Sequence, residues 1–127
     1  MSDDLLRRQL LELLDGYGAH MTFEEAVADF PDAAINKRPP NIDYTPWHLL
    51  EHLRITQRDI LRYVQERDYV SPPWPVGYWP GREERATPTE FAQTVADFLA
   101  DRAVLRSIVA DQRSDLFAVL PGTPGGQ

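Results

Sequence analysis

YTPWHLLEHLRITQRDILRYV, residues 44–64, decides how the rest of the chain is read. Thr45 can cap a helix with its hydroxyl, and Pro46 sits at the first helical position, where its missing N–H would have no partner anyway. Leu49, Leu50, Leu53, Ile60, Leu61 and Val64 then recur at three- and four-residue steps, with Arg54, Arg58, Arg62 and Gln65 on the opposite side. The spacing predicts an amphipathic helix of about five turns beginning near Pro46 and ending at Val64 or a little beyond. At about 100° per residue the stripe is centred near Leu53 and Val64. His52 falls on its flank beside Leu49, Thr56 and Tyr63, so a partly buried ring is expected there; His48 lies further toward the polar side and is expected in solvent.

Two chemistries are open to these histidines. A boundary histidine commonly satisfies its ring with hydrogen bonds and does nothing more, whereas His52 could also ligate a metal. His48-x-x-Glu51-His52 matches the H-x-x-E-H pattern of inverted zinc peptidases, in which histidines four apart share a helix face and the glutamate polarises a water. Three defined residues in five also arise by chance, and those peptidases need a further acidic ligand on a much larger domain.

A length of 127 residues suits a single domain with one core, here assigned to residues 1–120 with 121–127 as a disordered tail. The net charge of −7 argues against a general nucleic-acid or anionic-membrane binder, which needs a basic face to release counterions. Cysteine is absent, which excludes disulfides, thiolate metal sites and a cysteine nucleophile. MSDDLLRRQLL begins acidic where a signal peptide is basic, and no apolar run approaches the roughly 18 residues needed to span a bilayer. A cytoplasmic protein is expected.

Ser2 or Asp3 can cap a first helix whose stripe is Leu6, Leu10, Leu13, Leu14 and Tyr17, weakened at its end by Gly16 and Gly18. Thr22 and Glu25 form a capping box that opens a short second segment ending before Pro31. His20 lies at this break, either as a loop histidine or as an addition to the site at His52. Residues 31–43 hold three prolines and read as a connection. Residues 69–81, with two Trp and two Tyr among four prolines, cannot be helical. So much aromatic surface predicts an ordered loop across the bundle end, in which Trp74, Tyr78 and Trp79 either cap the core or form, with Tyr63, a lid over a pocket. Thr87, Pro88 and Glu90 open a last long helix, running to about Gln112, with Phe91, Val95, Phe98, Leu99, Leu105, Ile108 and Val109 as its stripe. Asp97 and Asp101 are expected on its solvated face, and residues 115–120 form a short apolar segment. No alternating strand pattern occurs, so the class is all-α, an up-and-down bundle of three long helices and a short one.

LLRRQLLELLDGYGAHMTFEEAVADFP, YTPWHLLEHLRITQRDILRYV, YVSPPWPVGYWP and TPTEFAQTVADF resemble, in that order, the DinB-like superfamily of bacterial four-helix bundles, over about residues 3–120. The most specific pieces are WHLLEH and PPWPVGYWP. The resemblance implies a metal-binding bundle with three histidine ligands, one at the position of His52 and two four apart on a last helix. It also implies a metal-dependent activity, such as thiol-cofactor S-transfer, maleylpyruvate isomerisation or hydrolysis, with zinc or nickel as cofactor and a small-molecule substrate. Where that last helix is expected, this sequence reads GTPGGQ. Only His48 and His20 remain as additional ligands, and the fourth bundle position is expected to be open or filled by a partner, most simply in a homodimer. The alternative is a non-catalytic helical protein that binds a second copy or a partner helix through that groove.

Overall fold

The computed structural model describes residues 3–121, and the expected tail at 122–127 lies outside them. Four α-helices occur: α1 (Asp3–Leu14), α2 (Phe23–Val27), α3 (Pro46–Gln65) and α4 (Pro88–Ala110), with single 3-10 turns at Asp32–Ala34 and Val76–Tyr78. No strand is present among the described residues.

α2, α3 and α4 each begin for a reason visible in the first turn. Thr22, Thr45 and Thr87 all accept from the backbone three residues on, and that residue's side chain accepts from the threonine N–H. The reciprocal residue is Glu25 in α2 and Glu90 in α4, as expected, but in α3 it is His48. Gly16 ends α1. It takes φ +85°, Gly16 N–H donates to Leu13 and Tyr17 N–H to Glu12, which satisfies two of the helix's last carbonyls.

α3 and α4 form the central pair. Trp47 Nε1 donates to Thr94 Oγ1 (3.4 Å), Gln57 Nε2 to the Phe98 carbonyl (2.8 Å), and Arg58 grips Asp101 at 2.9 and 3.3 Å. Partner numbers rise together along both helices, so α3 and α4 run in the same direction. The all-α bundle is thus as expected, but its two longest helices are parallel rather than alternately up and down. The connection between them must travel back the full length of α3, and bundles accommodate such long crossovers. Asp101, expected in solvent, is buried because it is the partner of Arg58.

The core lies where the crossover and the 31–43 connection meet this pair: Ile35, Trp47, Leu50, Leu61, Tyr78, Ala86 and Leu105. Asn36 donates to the Ala86 carbonyl (2.7 Å) and accepts from its N–H (2.9 Å), pinning the chain just before α4 begins. α2 is held by stacking of Phe23 on Phe98 and Phe30 on Phe91, with Arg102 paired to Glu24.

α1 packs against α4 in the opposite direction, with Asp15 bound by Arg106 and Arg7 at the far end. Arg7 is the only buried residue of α1. Its guanidinium donates to the Val109 carbonyl (2.8 Å), the Asp111 carbonyl (2.9 Å) and the Ser114 carbonyl, adding donors to the last turn of α4 and the turn that follows it.

Between α1, α3 and α4 an apolar groove of about 440 Å³ remains open, lined by Leu10, Leu13, Leu53, Ile60, Phe98 and Val109 among others. Leu53 and Ile60, near the centre of the predicted stripe, are therefore 40% and 51% exposed, and Leu13 is 67% exposed. Residues 115–120 form no helix, and Phe117 and Val119 point into solvent.

With its leucines half exposed, α1 depends on Arg7. Arg7→Ala should lower the stability by about 1–2 kcal/mol, since it removes three charge-assisted bonds to part-buried carbonyls. Urea unfolding should show this as a lower midpoint with an unchanged slope.

Candidate functional site

At about 100° per residue, His48, His52 and Asp59 fall within about 40° of one another around α3. All three bind the crossover. His48 meets residue 84, His52 meets residue 78, and Asp59 meets residues 69 and 78. The aromatic loop therefore lies along α3 rather than across the bundle end.

His48, expected in solvent, is 3% exposed. Its Nδ1 accepts from Thr45 N–H (3.2 Å), so in the neutral ring the proton is on Nε2, which donates to the Glu84 carbonyl (2.8 Å). Both nitrogens are thus engaged with backbone. Glu51, the central residue of the H-x-x-E-H pattern, is held by Arg54 through two bonds of 2.6 and 2.9 Å. The peptidase arrangement is not assembled: one of its histidines has no free lone pair, and its glutamate is paired with a cation.

His52 has the opposite proton placement. Its Nδ1 lies 2.7 Å from the Tyr78 carbonyl, which can only accept, so Nδ1 carries the proton and Nε2 keeps the lone pair. The ring is stacked on Trp79, with centroids 3.8 Å apart and planes within 8°. Tyr44 packs against the Trp79 ring at 5.4 Å. Trp74 approaches His52 at 6.3 Å and Tyr78 at 5.1 Å, yet it is 69% exposed. Three of the four predicted lid aromatics thus gather around His52, with Tyr78 buried, Trp79 half-buried and Trp74 in solvent, whereas Tyr63 is not among them. None of them lines the apolar groove, whose walls come from α1, α3 and α4.

Below His52, the buried Asp59 carboxylate accepts from Tyr69 (2.9 Å) and Tyr78 (2.8 Å) through their hydroxyls. Sequence spacing gave no sign of this group, whose partners are 10 and 19 residues away in a proline-rich loop. Burial, then the bond to the negative Asp59, push the Tyr69 phenol up to about 12 and raise that of Tyr78. The Arg62 guanidinium covers the Tyr69 ring at 4.6 Å while its charge is matched by Glu66 at 2.9 and 3.1 Å. Tyr63 is half-buried and lines a small depression with Asp59.

His20 is exposed in the bend before α2, and no described bond or ring contact joins it to His52. No group of three His, Asp or Glu able to hold a metal ion occurs among the described residues. No helix is long and apolar enough to cross a membrane among them.

A family model described as the DinB superfamily matches residues 17–126. No curated protein and no solved structure matches the chain.

The raised Tyr69 phenol has a consequence at high pH. The folded state holds this proton to about pH 12 while the unfolded chain releases it near 10, so the stabilisation is complete below pH 10 and lost as pH rises toward 12. The melting temperature should fall over that interval, and Tyr69→Phe should flatten the fall.

Proposed function

This chain belongs to the DinB superfamily, and from that premise we propose that it is a divalent-metal-binding bundle with His52 as a ligand. Its activity class is then that of the metal-dependent hydrolases and thiol-dependent transferases which the family resemblance implies. One observation carries the reading. A backbone carbonyl fixes Nδ1–H of His52 and so leaves Nε2 as the lone-pair nitrogen, the arrangement by which proteins orient and activate imidazole ligands.

His52 fits a metal as one ligand, but the described residues do not form a cage around it, and no reaction step is derived through an ion. Zinc or nickel, when bound, supplies a Lewis acid that lowers the pKa of a coordinated water or thiol. His48 serves as a loop anchor in this proposal, and His20 lies in the bend before α2 with no described contact to His52. A small-molecule substrate then rests against Trp74, the exposed ring beside His52.

A second reading is favoured by the groove itself. Leu13, Leu53 and Ile60 are exposed along it, and a monomer seldom leaves such a continuous apolar surface in water. In this reading the protein is non-catalytic and binds a second copy or a partner helix there.

Thermal unfolding of metal-stripped protein separates the two. Added zinc or nickel at 100-fold over its Kd should stabilise the wild type by about 2.7 kcal/mol, several degrees of Tm. His52→Ala should abolish the rise, and a wild type indifferent to both metals would refute the metal reading. Sedimentation tests the groove: Ile60→Glu should keep the helical content while shifting a self-associated species to monomer. An oligomer unchanged by this substitution would exclude the groove as the contact.

A further inference from the structure

A depression of about 190 Å³ opens beside the end of α3, lined by Asp59, Ile60, Tyr63, Val64 and Leu120. Its walls are aliphatic and aromatic, and Asp59 is its one acidic residue among the described residues. Leu120 is placed there by its neighbour, because the Pro121 carbonyl accepts from Asp68 N–H at 3.0 Å and ties the end of the described chain to the start of the crossover.

Asp59 is 9% exposed, and among the described residues it pairs with no Arg, Lys or His. The Arg62 guanidinium acts on Asp59 only through space; it lies over the Tyr69 ring and is paired with Glu66. Two phenol hydroxyls share the negative charge but do not neutralise it. A carboxylate that deep costs several kcal/mol of lost hydration, and hydrogen bonds from neutral donors offset only part of that. Two oxygens offer about four acceptor sites and the phenols use two of them. The unused capacity of this anion therefore borders a small apolar recess.

We propose that the recess binds a small protonated amine with a compact hydrocarbon body, the ammonium on Asp59 and the hydrocarbon against Ile60, Val64 and Leu120. A neutral ligand of the same shape would gain only the apolar burial. An anion would be repelled. At about 30 Å³ per water-sized group the recess holds about six such groups, well under the roughly 300 Å³ at which drug-sized pockets begin. The ligand is thus a short or single-ring amine. This site is independent of the metal reading, since it uses neither His52 nor the groove floor; Ile60 alone lines both.

The test compares cyclohexylammonium with cyclohexanol, equal in heavy atoms and different in charge, by titration of amide chemical shifts at pH 7. The proposal expects saturable shifts around residues 59–64 and 120, with the amine at least ten-fold tighter than the alcohol. Asp59→Asn should remove that difference. Leu120→Arg keeps both tyrosine bonds and places a cation in the recess, so it should abolish amine binding even if Asp59→Asn does not fold. Equal affinity for the two probes in the wild type, no saturable shift, or undiminished amine binding in Leu120→Arg would each overturn the assignment.

Discussion

Because α3 and α4 point the same way, the chain must return along α3 before α4 can begin, and the return path has no ladder of its own hydrogen bonds. One arc of α3 supplies the substitute. Asp59, His52 and His48 take hold of the crossover in succession, and Asn36 closes the sequence at Ala86. A buried backbone carbonyl left without a donor costs about 1–3 kcal/mol, so the two histidines are worth more to this fold than their exposure on a helical wheel suggests. The crossover in turn delivers Tyr78 and Ala86 to the core and sets the register in which Gln57 and Arg58 meet Phe98 and Asp101. Gly77 belongs to the same constraint. A Cβ there would stand 2.6 Å from the Pro72 Cβ, so only glycine lets the proline-rich turn close.

α3 consequently has three sides. The crossover side carries His48, His52 and Asp59; the groove side carries Leu53, Thr56 and Ile60; the α4 side carries Trp47, Leu50, Gln57 and Leu61. The apolar stripe read from spacing straddles the second and third of these. Periodicity and capping found the helix and its start correctly, because Thr45, Pro46 and the leucines act locally. It could not separate leucines that meet α4 from leucines that meet an open groove, since both are equally apolar. The same limit explains Asp101 and Arg7. Each is a charged residue made interior by partners distant in the chain, and spacing along a single helix carries no information about such partners.

The histidines show where chemical reading from sequence succeeds and where it stops. His48 and His52 are four residues apart on one helix, identical in type, and differ in which nitrogen holds the proton. The difference arises from the backbone group each one faces: an N–H at Thr45 for His48, a carbonyl at Tyr78 for His52. His48 uses its acceptor within its own helix turn, in the place a glutamate takes in α2 and α4, so a capping role was open to inspection of Thr45-Pro-Trp-His48. The carbonyl opposite His52 comes from 26 residues downstream and was not. Membership of the DinB superfamily, by contrast, was readable from WHLLEH and PPWPVGYWP, the segments that build the helix and its crossover.

The Arg7 clamp has a kinetic side. Its three bonds join residues 102, 104 and 107 positions apart, whereas the α3, crossover and α4 contacts close loops less than half as long. Loop-closure entropy favours the shorter ones, so the α3–α4 unit forms first and α1 docks afterwards onto a finished helix end. Amide protons of α1 should then exchange through a partial opening well below the global unfolding free energy. During that opening the Val109 and Ser114 carbonyls lose the guanidinium, while the Asp111 carbonyl keeps the Ser114 N–H, so the turn after α4 loosens without coming undone.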